Sequence, residues 1–266
     1  AIGLLAALGL SRVSVLKRPT VAILATGNEV QSPGETLKPG HLYDSNTYGI
    51  AAAIKRWGAV PKIIGIASDN MDDIKGKVIS SLSADLLVTS AGVSGGAYDL
   101  VKNVLSELGA VDFWSVKMRP AKPIAFGLLK NGSRSIPHIG LPGNPVSALV
   151  ALVQFGRPAI RKMMGKNAAD LPTIEAVLDD DIENTDGRRV YARVHLYQKS
   201  GKMHAKLTGS QGSNLLTSMA LANGLAICPE SHSKLAKGDK VVVQLLDWLD
   251  HFSFLAKQHD ISTTLR

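Results

Sequence analysis

Residues 85–109 constrain this chain more than any other stretch. Asp85 leads into Leu86-Leu87-Val88-Thr89-Ser90, a run short and apolar enough for a buried strand. Ala91-Gly92-Val93-Ser94-Gly95-Gly96-Ala97 follows as a glycine-rich loop, and from residue 98 on Val101, Val104, Leu105 and Leu108 share one helical face. Gly109 stands where such a helix would stop. At a junction of strand, glycine loop and helix, free backbone N–H groups and the helix dipole together favour an anion, commonly a phosphate. A tight turn that needs glycine for packing alone fits the same residues, and on this loop by itself both readings stay open.

The pattern around this junction repeats. Val21-Ala22-Ile23-Leu24-Ala25 is an apolar run suited to a strand covered on both faces, and it ends in Thr26-Gly27-Asn28-Glu29. A polar loop at 31–40 turns on Pro33-Gly34 and Pro39-Gly40. Asp44-Ser45-Asn46 supplies caps for a helix bearing Ile50, Ala51 and Ile54 that closes near Gly58. A strand is expected at 60–66, then a helix capped by Ser68-Asp69-Asn70 whose first turn carries Asp72 and Asp73. Strands at 111–118, 123–129 and 136–141 follow, with the hairpin turn Asn131-Gly132 between the last two. Pro142-Gly143-Asn144-Pro145 opens a final helix, with Asn144 as cap and Pro145 in the first turn, and Pro158 is expected to kink or end it.

Strand and helix alternate across residues 20–166, which specifies an α/β class with a mainly parallel sheet in three layers. In such sheets ligands bind beyond the carboxyl ends of the strands. The polar clusters Thr26 to Glu29, Asp69, Ser90 to Asp99 and Pro142 to Pro145 all fall there. That coincidence favours the phosphate reading of the organising loop. After residue 166 the pattern changes to short strands at 174–178, 190–197, 203–207, 225–228 and 240–246, separated by glycine turns. This reads as a small all-β, barrel-like domain. The expected organisation is therefore a lead-in at 1–17 left from a preceding domain or linker (with 11–17 a short strand or linker), an α/β domain at 18–166, a β-barrel-like domain at 167–247, and a tail at 248–266.

Composition narrows the partners. A net charge of +8 makes an anionic ligand easy to attract without identifying it. No basic run is interleaved with aromatics, which total 5%, so nucleic acid is not expected as a partner. The apolar opening, Ala1 to Leu10, is too short to span a bilayer and lacks the basic start of a signal peptide, so no membrane is expected either. With no initiator methionine, the chain is expected to begin inside a longer protein. The single cysteine, Cys228, fits a reducing compartment and reads as a buried apolar residue rather than a nucleophile. His41, His138, His195 and the other histidines show no metal-ligand spacing and are expected to be structural or exposed.

Five short motifs stand in a fixed order: Thr26-Gly27-Asn28-Glu29-Val30, Gly40-His41-Leu42-Tyr43-Asp44-Ser45-Asn46, Ser90-Ala91-Gly92-Val93-Ser94, Arg119-Pro120-Ala121-Lys122-Pro123 and Leu141-Pro142-Gly143-Asn144-Pro145-Val146-Ser147. In them, and on through Gln211-Gly212-Ser213, the chain resembles the molybdopterin molybdenumtransferases, the MoeA and gephyrin E-domain proteins. The resemblance implies insertion of molybdate into adenylylated molybdopterin with Mg²⁺-dependent release of AMP. It further implies a cytoplasmic homodimer, with molybdopterin adenylyltransferase and apo-molybdoenzymes as partners. Two further domains precede this region in the family, and the partner subunit completes the cleft with part of them. Three positions depart from the family's pattern: Asn28 where Asp is common, Ala91 where a second glycine is, and Ala97 where an acid is.

Such a polyanionic substrate needs backbone donors, cations and a metal. Gly92, Val93 and Ser94 are expected to offer N–H groups to a phosphate, helped by the Ser90 and Ser94 hydroxyls, and Gly143 and Asn144, held between Pro142 and Pro145, to do the same. Thr26, Gly27 and Asn46 join the substrate-binding set by resemblance. Asp44 and Asp69 are the expected Mg²⁺ ligands, although their positions also suit helix capping. Glu29, Asp69, Asp99 and Lys122 are the expected catalytic residues, with Glu29 and Asp99 orienting substrate or water. Lys122 and Arg119, stiffened by prolines, suit an oxyanion. Arg193 and Ser213 align with family residues near the metal-oxyanion site. A molybdopterin adenylyltransferase, and a binding or scaffold module of the same fold, are the alternatives.

Overall fold

The computed structural model describes residues 1–93, 98–167 and 171–246. The expected tail lies outside these residues, as do positions 94–97 of the glycine loop and 168–170. After helix α1 (Ile2–Ala7), the α/β half runs β1 (Thr20–Thr26), β2 (Val30–Gln31), β3 (Leu42–Tyr43), α2 (Asn46–Arg56), β4 (Val60–Ala67), α3 (Met71–Ser81), β5 (Leu86–Ser90), α4 (Tyr98–Leu108), β6 (Gly109–Ser115), β7 (Met118–Arg119), β8 (Pro123–Asn131), β9 (Arg134–Leu141), α5 (Pro145–Ala151) and α6 (Arg157–Met163).

Its sheet has the order β4-β1-β5-β9-β8-β6. The first four strands are parallel; β8 pairs antiparallel with β9 and β6 antiparallel with β8. Alternate residues along each central strand feed two cores. Val21, Ile23, Leu86 and Val88 meet Ile50 and Ile54 of α2 and Val146 and Val150 of α5. Ala22, Leu24 and Leu87 meet Ile74 and Val78 of α3 and Val101, Val104 and Leu105 of α4. With both faces covered, a strand must be apolar on both sides, which is why β1 reads TVAILAT.

The second half contains β10 (Thr173–Leu178), β11 (Ile182–Glu183), β12 (Arg189–Lys199), β13 (Lys202–Leu207), α7 (Leu216–Ala220), β14 (Gly224–Cys228), β15 (Lys234–Leu235) and β16 (Lys240–Leu245). Strands β13-β10-β16-β14-β12 close into a barrel through the β12–β13 pairing. The barrel is stitched to the first half: β7, from the α/β segment, adds to β12 as a parallel neighbour.

Several expectations are corrected. Residues 11–17 form no strand, and the strand expected at 111–118 divides into β6 and β7. Gly109 does not end its helix with a left-handed residue; it opens β6, where a Cβ would sit 2.1 Å from the Leu128 carbonyl oxygen. Glycine is needed there for the approach of two strands. Pro158 neither ends nor breaks its helix. A π turn at Leu152–Gly156 widens the helix just ahead of it, so that Pro158 falls in the first turn of α6, where a missing N–H costs least. Among the described residues no helix is long and apolar enough to cross a membrane.

Candidate functional site

The chain adds β4 on one side of β1 and β5 on the other, so the strand order reverses between β1 and β5. Loops leaving two such strands diverge to opposite faces and open a crevice at their carboxyl ends. A cleft of about 630 Å³ lies there. Thr26 and Glu29 border it after β1, Asp44 and Asn46 before α2, Ser90 and Ala91 after β5, and Pro142, Gly143, Asn144 and Pro145 after β9. The barrel segment adds Asn214 and Leu216.

Asn46 ties these loops together. Its Nδ2 donates to Ser90 Oγ and to the Gly143 carbonyl, each at 2.7 Å. Asn144 does not cap its helix with its side chain; Nδ2 donates instead to Ser213 Oγ at 2.9 Å, while the Val146 N–H donates to the Ser213 carbonyl at 3.1 Å. Ser213 thus fixes the barrel against the start of α5. Asp44, buried, accepts the Thr47 N–H at 3.0 Å, which makes it the side-chain cap of α2 that Ser45 fails to be. Glu29 folds back over Gly27, where a Cβ would meet its Oε2 at 2.6 Å. Asp69 and Asn28 are joined across strand ends: the Asp69 N–H donates to Asn28 Oδ1 and the Asn28 N–H to Asp69 Oδ2.

Thr26 Oγ1 and Asn46 Oδ1, on residues that border the cleft, are buried without a hydrogen-bond partner among the described residues, as are Thr47 Oγ1 and Asp69 Oδ1, on residues next to its lining. A buried polar atom without a partner is costly, and in a cleft it marks where a ligand's polar groups belong. Magnesium fits this donor set. It takes one or two carboxylates together with water and phosphate oxygens, and no group of three or more His, Cys, Asp or Glu is assembled among the described residues.

The remaining candidates disperse. Gly92 and Val93 are buried; Gly92, at φ 70°, lies against Val101 of α4, and Val93 packs into the core. Ser94 lies outside the described residues. Asp99 occupies the exposed first turn of α4 and does not border the cleft. Lys122 is exposed next to Pro123, which does border it. Arg119 turns to the barrel, donating to the Glu183 carbonyl and pairing with Asp186 at 3.6 Å. Arg193 is 1% exposed, donates to Ser218 Oγ and the Gly212 carbonyl, and is pushed down to about 10 by burial. Arg119, Arg193 and Gln211 border a second hollow of about 380 Å³, which shares no lining residue with the cleft. His138 is fully buried against Thr89 Oγ1 and is pushed down to about 3 by that burial, so it is neutral. Ala91, Ser147 and Asn214 are cleft residues that sequence reasoning did not nominate; Ala91 and Ser147 lie within two of the five motifs and Asn214 directly follows Gln211-Gly212-Ser213, which was the signal available.

The family pattern described as "Probable molybdopterin binding domain" matches residues 22–162, and the MoeA C-terminal region (domain IV) matches residues 175–246. The chain belongs to the molybdopterin-binding family. The MoeA pattern covers the barrel, so the two halves match the two patterns in order. A molybdopterin molybdenumtransferase of Nostoc sp. is 37% identical over 91% of this chain and 56% of its own length. One from Haemophilus influenzae is 32% identical over 91% and 59% respectively, and gephyrin of Dictyostelium discoideum is 33% identical over 92% and 39%. The crystal structure of the molybdopterin biosynthesis MoeA protein from Pyrococcus horikoshii is 31% identical with a TM-score of 0.76, over 91% of this chain and 58% of that one. The chain therefore spans little more than half the length of the molybdenumtransferases it matches.

Proposed function

We propose that this chain carries the substrate-holding half of a molybdopterin molybdenumtransferase, which inserts molybdate into adenylylated molybdopterin and releases AMP. The observation that supports it best is the cleft at the β1/β5 reversal, where Asn46 joins the Ser90 and Gly143 loops and buried oxygens of Thr26 and Asn46 are left without partners. A ligand with one phosphate chain and several ring donors suits that mixture of backbone groups, hydroxyls and amides.

In this reading Ser90 and the Gly143–Asn144 backbone hold the phosphate chain. Thr26 and Asn46 receive donors from the ring system, and Glu29 orients the attacking group. Asp69, through its unpartnered Oδ1, and Asp44 hold Mg²⁺, which supplies neutralisation of the phosphate charge when bound. Molybdate approaches from the side of Lys122 and the Arg119–Arg193 hollow. Asp99, exposed and away from the cleft, and Gly92 and Val93, buried behind it, are given no contact with the substrate in this reading. The whole works as a cytoplasmic homodimer that receives substrate from an adenylyltransferase and passes product to apo-molybdoenzymes. Among the alternatives, the barrel matching the MoeA C-terminal region favours the molybdenumtransferase over an adenylyltransferase.

The test supplies the chain with adenylylated molybdopterin, Mg²⁺ and molybdate and measures AMP. Molybdate-dependent AMP release is the expected result. Binding of the nucleotide with no release points to the binding module, and no binding at all overturns the reading.

A further inference from the structure

Ala91 borders the cleft directly after β5. It leaves β5 at φ 72°, a left-handed backbone conformation that costs an alanine free energy and glycine almost none. A strained residue retained at a ligand cleft calls for a role. The Ala91 side chain is a single methyl, and Ala91 and Gly143 both border the cleft. A Cβ built on Gly143 would stand 3.4 Å from that methyl and 3.9 Å from the Ala91 Cα, so the methyl faces Gly143 across a space about one methyl wide. Ser90 and Gly143, the flanking residues of the contact, are the two acceptors that Asn46 holds together. The methyl therefore stands on the Ser90 side of the gap between the two loops that Asn46 bridges, and narrows it.

We propose that Ala91 is a specificity-determining residue: its methyl sets the width of the gap between the Ser90 and Gly143 loops, and hence how deeply the phosphate of a nucleoside monophosphate enters. The assignment rests on the reading of this cleft as the nucleotide end of the substrate site. It predicts that affinity follows side-chain size at residue 91, with stability moving independently. Glycine and asparagine both accept a left-handed φ, so Ala91→Gly and Ala91→Asn change the size of the obstruction while keeping the turn.

The experiment titrates AMP into the unsubstituted chain and the two variants by calorimetry, with a melting curve for each. Ala91→Gly is expected to bind AMP at least threefold more tightly and Ala91→Asn at least tenfold more weakly, with Ala91→Gly melting at or above the unsubstituted chain. If the asparagine variant melts lower, the tightening in the glycine variant alone decides. AMP bound equally by all three, or more weakly by Ala91→Gly, overturns the assignment and leaves the cleft reading standing. AMP bound by none of them overturns both.

Discussion

Two strand-to-helix junctions lie side by side on the rim of the sheet, β5 to α4 and β9 to α5, and they use glycine for opposite purposes. Their parent strands are paired, Ser90 opposite Leu141, so the two loops start level. At the first, Gly92 turns inward: a Cβ there would come within 2.6 Å of Val101 Cγ2, so glycine lets α4 settle onto the sheet. At the second, Gly143 is exposed, borders the cleft and gives its carbonyl to Asn46. A glycine beside a strand end thus answers either to a helix behind it or to a ligand in front of it. The neighbours decide which, not the loop's own sequence.

Gly92→Ala is the substitution that should break the first junction most severely. It combines a left-handed φ with overlap against a buried valine, and a loss of about 3 kcal/mol is expected in urea unfolding. Adding Val101→Ala should recover the steric part and leave the backbone part. No recovery in the double variant would mean that Gly92 is held by something other than its packing against α4.

This comparison also marks how far the sequence could be read. Alternation of strands and helices exposed the α/β half, and five short strand runs exposed the barrel, because periodicity reports which faces are covered. The β7–β12 stitch was not legible, since Met118-Arg119 is too short to carry a period. In the site, Ser90, Gly143 and Asn144 could be put on one rim by their positions at strand ends, and the structure lines one cleft with them; Asn46, at the start of α2, came in only through the resemblance. For Arg119 the neighbouring prolines suggested a fixed cation for an oxyanion; they gave no sign of Asp186 and the Glu183 carbonyl, more than sixty residues away, which hold its guanidinium at the second hollow. Gly92 and Val93 were ambiguous for the reason given above. Charge and proximity in three dimensions leave no local trace in a single sequence.

The core behind the first junction should reveal itself through pH. His138, opposite Leu87 on β9, is buried and bonded to Thr89, with a folded value near 3. In the unfolded chain it titrates near 6.5, so on acidification the unfolded state takes up the proton first. Its contribution is complete above about pH 6.5 and falls on the way to pH 3, by up to about 1.4 kcal/mol per pH unit. Between pH 6.5 and 4.5 this slope is distinct from that of Asp73. Asp73 is held down to about 2, chiefly by its hydrogen bond with Lys77 and then by Ser68, and its contribution is lost only as pH drops below its ordinary range. His138→Gln should flatten the stability profile in that window. An unchanged acid slope would assign it to other groups.

Asn46 is the link between the junctions, so its removal tests whether they act as one site. Asn46→Ala takes a donor from both Ser90 Oγ and the Gly143 carbonyl, and a loss of about 1–2 kcal/mol in stability is expected. AMP affinity should fall with it. If stability drops while AMP binding is untouched, Asn46 is a brace of the fold and the cleft lies elsewhere.

The smallest effect on stability belongs to Gly143→Ala, and it sharpens the contrast with Gly92 most. Gly143 is not among the residues with positive φ, and the nearest atom to an added Cβ is the Ala91 methyl at 3.4 Å, an ordinary contact. The fold should therefore lose less than about 0.5 kcal/mol, as for a surface substitution. The new methyl, however, would meet that of Ala91 across the gap and close it, so AMP affinity should fall at least tenfold. The same chemical change then destabilises the fold at one junction and blocks a ligand at the other. Equal losses of stability at the two positions, with AMP affinity kept at Gly143→Ala, would show that both glycines serve packing.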